Sequence, residues 1–221
     1  MNARIVLATR NPGKLREFRA LLGSHTESGP LHSSKALGEL DLEHAVIDAA
    51  TAGCAEIPET GTTFTENSLL KARAVAAETG LPAVADDSGL AVDVLGGAPG
   101  IFSARWAGAQ ASDENNLRLL LEQLADIAPE HRGAAFVCVA ALVIPESPEA
   151  PAKEFTTTGT LRGSLLFAPQ GAGGFGYDPI LQPSGQTRSA AELSMEEKNA
   201  ISHRGEAFAA LRPHILEALT R

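Results

Sequence analysis

The chain has 221 residues, 44% of them hydrophobic, a formal net charge of −9 and two cysteines. That length suits one large domain or two small lobes, the apolar share is enough for a sizeable core, and the acidic balance excludes a nucleic-acid polymer as partner while leaving room for a small phosphate ligand held by local cations. Cys54 and Cys138 make no disulfide framework, the N-terminus turns polar too soon for a signal peptide, and the longest apolar run (134–144) falls short of the ~20 residues a bilayer span needs, so a soluble, cytoplasmic protein without membrane contact is expected.

Residues 4–8, RIVLA, predict a first buried strand. A loop over 9–14, TRNPGK, leads into a helix over 15–22, with Leu15, Phe18, Leu21 and Leu22 at helical spacing and Gly23 as its stop. Residues 23–60 are the least patterned part. They hold only a weak helical signal over 42–52, and read as a surface insertion or a flap. Thr63 and Glu66 have capping-box spacing and open a helix that runs to Glu78, ended by Gly80 and Pro82.

The stretch 83–95, AVADDSGLAVDVL, organises the chain. Ala83, Val84 and Ala85 are strand-like, Asp86 and Asp87 follow, Ser88 and Gly89 turn the chain, and 90–95 leaves as a second strand. Two readings stand side by side. One is a polar turn joining two hairpin strands. The other is an acid pair at the mouth of a buried strand, which needs compensation such as a metal ion. Side chains alternate along a strand, so one carboxylate would face a ligand and the other support it.

Residues 96–100 form a loop, and Ser112 caps a helix whose Leu117, Leu120, Leu121 and Leu124 make one apolar face, bounded by Pro129. The run 134–144 predicts a central strand, apolar on both faces, and 154–166 its alternating partner. A glycine-rich loop covers 171–178, Ser194 and Glu197 form a second capping box, and a last helix runs from about 205 to 219 with a bend at Pro213. The expectation is an α/β fold, a mixed sheet flanked by helices. No linker separates independent domains, so 1–221 is read as one.

Three stretches carry chemistry. The loop 9–14 joins a strand to a helix, where backbone N–H groups and the cations Arg10 and Lys14 suit phosphate; a capped helix start with solvated cations is the plainer reading. It is not a Walker A loop, because Ala8 stands at the first glycine position and Leu15 follows the lysine. The run 171–176 satisfies G-x-G-x-x-G, yet Tyr177, Asp178 and Pro179 follow and no helix can open there, so a dinucleotide fingerprint is rejected. Its glycines let the backbone approach a flat ligand on which Phe175 can stack; the alternative is a flexible turn with Phe175 in the core. His203 and Arg204, before the last helix, can donate to a purine carbonyl or a phosphate. No Cys/His group has zinc spacing, and neither cysteine has the signature of a nucleophile.

Taken in order, LATRNPGK (7–14), ETGTTFTEN (59–67), ADDSGLAVDVLGGAPGIFSARWAG (85–108), GGFGYDP (173–179) and EEKNAISHRGEAF (196–208) resemble the inosine triphosphate pyrophosphatase family across nearly the whole chain. The resemblance implies a long, mixed, twisted sheet flanked by helices, with two lobes around a central nucleotide cleft. It implies Mg2+-dependent hydrolysis of ITP, dITP or XTP to the monophosphate and pyrophosphate, cleansing the nucleotide pool, in a homodimer. By position, Thr9, Arg10, Asn11, Pro12, Gly13 and Lys14 would hold the triphosphate. Asp87 would ligate Mg2+ and serve as, or position, the general base, and Ser88 would touch the substrate. Phe175, Gly176, Tyr177 and Asp178 would form part of the base pocket, completed by Lys198, His203 and Arg204. One departure stands out: where the family often has two acids before T-G, this chain has Pro58 and Glu59, so either Glu59 takes the metal-ligand role or water fills the vacancy. Glu66 is a further metal candidate, with its capping role the stronger reading.

Overall fold

A computed structural model of the chain describes residues 4–23, 41–148 and 150–220. Part of the stretch read as an insertion or flap, 24–40, lies outside them. The described strands form one open mixed sheet in the order β2-β1-β3-β4-β5-β6. These are β1 (Ile5–Leu7), β2 (Val46–Asp48), β3 (Ala83–Val92), β4 (Gly133–Ile144), β5 (Lys153–Leu165) and β6 (Leu181–Pro183). The helices that flank it are α1 (Pro12–Gly23), α2 (Leu42–Ala45), α3 (Phe64–Thr79), α4 (Asp113–Gln123), α5 (Met195–Ala200) and α6 (His203–Thr220). The chain divides into two compact units: Met1–Asp87 with Val139–Thr158 and Ala207–Arg221, and Ser88–Cys138 with Gly159–Glu206.

In the first unit β1 pairs in parallel with both β2 and β3. All three residues of β1 are buried, as an apolar run between two neighbours must be. The helix read over 42–52 stops at Ala45. The β-branched Val46 and Ile47 instead pair with Ile5 and Val6, and the Val46 carbonyl accepts from the Arg19 guanidinium. Helix α3 starts as its spacing predicts: the Thr63 hydroxyl accepts the Glu66 amide, and Gly80 closes the helix at φ 68°. The Glu66 carboxylate reaches one residue further back than a capping box requires, to the amide and hydroxyl of Thr62, and these bonds hold its pKa below the ordinary value. Val6, Ala72, Val75, Ala83, Ala85, Ala141 and Val143 make the core here.

The hairpin reading of 83–95 is overturned. β3 is one strand of ten residues with Asp86, Asp87, Ser88 and Gly89 in its middle. No positive φ occurs at Gly89, so nothing turns the chain there. The strand ends at Val92, and Asp93–Leu95 is a short 3-10 helix closed by Gly96 at φ 62°. Turn-forming residues stay extended here because the buried acids find partners on other elements.

The second unit packs Leu117, Leu120 and Leu124 of the α4 face and its margin against Leu90, Val92, Phe136, Leu161 and Leu165. Ser112 caps α4 through the Asn115 amide. The sequence pattern does not reveal β6, a three-residue edge strand antiparallel to β5. It depends on Gly163, where any Cβ would lie 2.2 Å from the Gln182 carbonyl oxygen. The final helix begins at His203, two residues earlier than its pattern suggests, because Ser202 accepts the amides of Gly205 and Glu206. Pro213 sits inside that helix. No helix among the described residues is long and apolar enough to cross a membrane.

Candidate active site

The candidate phosphate loop is only half loop. Helix α1 starts at Pro12, so Pro12, Gly13 and Lys14 are its first turn. Proline suits that position because it has no N–H to leave unsatisfied. Asn11 caps the turn by accepting the Gly13 amide at 2.8 Å, and its own amide is 3.2 Å from the Thr9 hydroxyl. Arg10 donates to the Cys54 carbonyl at 2.6 Å. Lys14 reaches across to β3, with its Nζ 2.9 Å from Oδ2 of Asp86.

Asp86 and Asp87 are both buried, at 5% and 8% exposure, so each needs compensation. Lys14 supplies it for Asp86. For Asp87 it comes from α3, through two residues the sequence reading leaves out. Asn67 is fully buried and donates from Nδ2 to Asp87 Oδ2 at 3.1 Å, while its Oδ1 accepts the Gly61 amide at 2.8 Å. Both ends of the amide are in use, so its orientation is set by its partners. Lys71, one helical turn on, places Nζ 2.7 Å from Glu59 Oε1, 2.7 Å from the Asp86 carbonyl oxygen and 3.9 Å from Asp87 Oδ1. Glu59, the acid that remains beside Pro58, thus meets Asp87 through a shared lysine. Gly61 is required by the close approach: a Cβ there would lie 2.7 Å from both Asn67 Oδ1 and the Glu66 Cβ. Asn67 and Lys71 stand four residues apart on one helix face, and that i, i+4 pairing in ENSLLK is the signal that could have found them. Cys54 is buried, and burial pushes its thiol pKa up, the wrong direction for a nucleophile.

The second unit holds the rest. Ser88 follows Asp87 on β3 and shares a face with Asp86 by strand alternation. The glycine-rich loop is pinned amide by amide: Gly173 N–H donates to the Ala191 carbonyl at 3.1 Å, Phe175 N–H to Asp178 Oδ2 at 2.8 Å, and Gly176 N–H to Asp113 Oδ2 at 2.8 Å. Gly174 and Gly176 have φ of 73° and 59°, and a Cβ on Gly174 would lie 2.2 Å from the Asp178 carboxylate. Asp178 is buried and also takes Lys198 Nζ at 2.5 Å; the same ammonium lies 5.0 Å from the centroid of the Phe175 ring. Phe175 is not in the core: it is 78% exposed. Tyr177 is the reverse, 4% exposed within the apolar cluster, with its hydroxyl donating to the Ser103 carbonyl at 2.9 Å. Burial, and then the Asp113 charge, push its phenol pKa up, so it stays a neutral donor. His203 and Arg204 are the first two residues of α6, and the His203 ring stacks on Phe136 with centroids 5.2 Å apart.

The structure therefore brings Lys14, Glu59 and Asp87 together with Asp86, Asn67 and Lys71 in one unit. In the other it brings Phe175, Gly176 and Asp178 together with Lys198 and Asp113. Oxygen donors compensated by ammonium groups suit phosphates and hard cations. The exposed phenylalanine beside a lysine suits a flat heterocycle.

The model of the Ham1 family matches residues 5–214, and this chain belongs to that family. The dITP/XTP pyrophosphatase of Streptomyces coelicolor is 56% identical over 98% of this chain and 98% of its own length. That of Streptomyces avermitilis is 54% identical at the same coverage. A solved HAM1 protein from Coxiella burnetii superposes with a TM-score of 0.80 at 40% identity, covering 97% of this chain and 99% of that one.

Proposed function

We propose that this chain hydrolyses noncanonical purine nucleoside triphosphates (ITP, dITP and XTP) to the monophosphate and pyrophosphate, with Mg2+ as cofactor, and so cleanses the nucleotide pool as a cytoplasmic homodimer. The observation that carries this reading is the buried acid pair in the middle of β3, compensated by Lys14 and Lys71 and joined to Glu59. The names of the relatives agree with it.

The donor set fits Mg2+, a hard ion that takes one or two carboxylates and completes its shell with substrate phosphates and water. Among the described residues no group of three or more acids, histidines or cysteines is arranged to hold a metal alone. Asp87 would hold the ion, with Glu59, the acid beside Pro58, as its second carboxylate. Mg2+ held there would neutralise charge on the phosphates and lower the pKa of water. Water attacks the α-phosphorus, the bond to the bridging oxygen of pyrophosphate breaks, and Asp87 takes or orients the proton released. Lys14, Arg10 and the N-terminus of α1 stabilise the leaving pyrophosphate.

Phe175 stacks on the purine, and His203 and Arg204 donate to the C6 carbonyl of hypoxanthine or xanthine. Adenine presents an amino donor there, which leaves buried donors unmatched. Rejection of guanine by an N–H of the glycine loop would have to avoid Gly173, Phe175 and Gly176, whose amides are already bonded. The test is incubation with ITP, XTP, GTP and ATP, with and without Mg2+, resolving pyrophosphate from phosphate. Pyrophosphate from ITP and XTP is expected; orthophosphate as the product, or turnover without a divalent cation, would overturn the reading.

A further inference from the structure

We propose that Asp113 is a positioning residue that latches the base-stacking loop to helix α4 and so sets the pose of Phe175; this rests on the reading of Phe175 as the base platform. Phe175 is the most exposed of the large hydrophobic side chains described, at 78%. A phenylalanine left in water gains by folding inward, so something must hold its backbone. Two consecutive amides do so. The Phe175 amide goes to Asp178 Oδ2, three residues along the same loop. The Gly176 amide goes to Asp113 Oδ2, 63 residues away in sequence.

These two anchors differ in kind. Asp178 belongs to the loop itself and is held by Lys198. Asp113 is the first residue of an eleven-residue helix whose Leu117 and Leu120 are in the core, so it refers the loop tip to a rigid body. Its carboxylate sits at the helix start, where a negative charge is favoured. Gly176 supplies the other half. Its φ of 59° is one L side chains rarely adopt, and a Cβ there would meet nothing within 4 Å. Glycine is thus needed at 176 for backbone direction, the direction that aims its N–H at Asp113. The sequence reading gives Asp113 no role beyond lying next to the Ser112 cap.

The test combines exchange and kinetics. Hydrogen–deuterium exchange should show the Gly176 amide losing protection in Asp113→Ala while the Phe175 amide, held by Asp178, keeps its own; an unchanged Gly176 amide overturns the latch whatever the kinetics show. With ITP, Asp113→Ala should raise KM about three- to tenfold, the range set by the net contribution of one ordinary hydrogen bond, with kcat within about twofold of the parent. Asp113→Asn, which keeps an oxygen in place, should restore most of the loss. In a Phe175→Ala background, Asp113→Ala should add nothing further. An equal rise in KM in both backgrounds would mean that Asp113 does not act through Phe175. If Phe175→Ala alone leaves KM unchanged, the base-stacking reading fails, and the exchange result still decides whether the latch exists.

Discussion

Asn67→Leu is the most informative single change at the candidate catalytic cluster. Leucine is close to asparagine in shape, so little cavity results, and what is lost is polar. Gly61 N–H, now bonded at 2.8 Å, and Asp87 Oδ2, now bonded at 3.1 Å, both lose their Asn67 partner. A partly buried amide left unpaired costs about 1 kcal/mol and a lost bond to a buried carboxylate about 2, so about 3 kcal/mol in all. At ~2–4 °C per kcal/mol for a chain of this size, Tm should fall by about 6–12 °C. Activity should fall as well, because groups that hold a ligating carboxylate typically affect metal affinity or rate by about 10- to 100-fold. Asn67→Asp keeps an oxygen for Gly61 N–H but sets a fully buried carboxylate against Asp87, so it should recover neither the stability nor the rate. The assays are calorimetry and steady-state hydrolysis of ITP over a Mg2+ series. An Asn67→Leu protein with Tm within about 1 °C of the parent and unchanged kcat would refute the reasoning.

Asp87→Asn, which keeps shape and removes charge, should lower kcat at least ~100-fold at saturating Mg2+, the lower end of a general-base contribution; near-normal turnover would remove Asp87 from the chemistry. Lys14→Ala should weaken every triphosphate alike, since Lys14, 2.9 Å from Asp86, is proposed to meet phosphate and not the base; a changed ITP-to-GTP ratio of kcat/KM would place Lys14 elsewhere. The hydrogen bond from Arg188, then the Ser194 amide, hold Glu197 down at about 2. A depressed acid contributes stability above its unfolded value of about 4.5 and loses it as pH falls toward 2. The Tm gap between the parent and Glu197→Gln should therefore be full at pH 6 and close between about pH 4.5 and pH 2, and a gap that persists unchanged in acid would contradict that origin.

What could be read from the sequence alone is what short-range bonds decide. The caps at Thr63, Ser112 and Ser194 each join residues three apart, so their helices start where the spacing says. Buried strands such as β4 announce themselves by an apolar run on both faces. The ordered motifs point to the family without the fold. Tertiary structure decided whatever depends on distant partners. Asp-Asp-Ser-Gly favours a turn locally, yet it stays in mid-strand because Lys14, 72 residues away from Asp86, and Asn67, 20 away from Asp87, satisfy its acids. Val46 and Ile47 leave a weak helix for β2 because β1 offers a ladder, and β6 forms only where Gly163 lets it approach. Lys71 and Asp113 look like ordinary helix residues in the sequence; folding alone brings one to the acid pair and the other to Gly176. A carboxylate's surroundings, and so its chemistry, are set within a few ångströms, and residues far apart in sequence reach that range only when the chain folds.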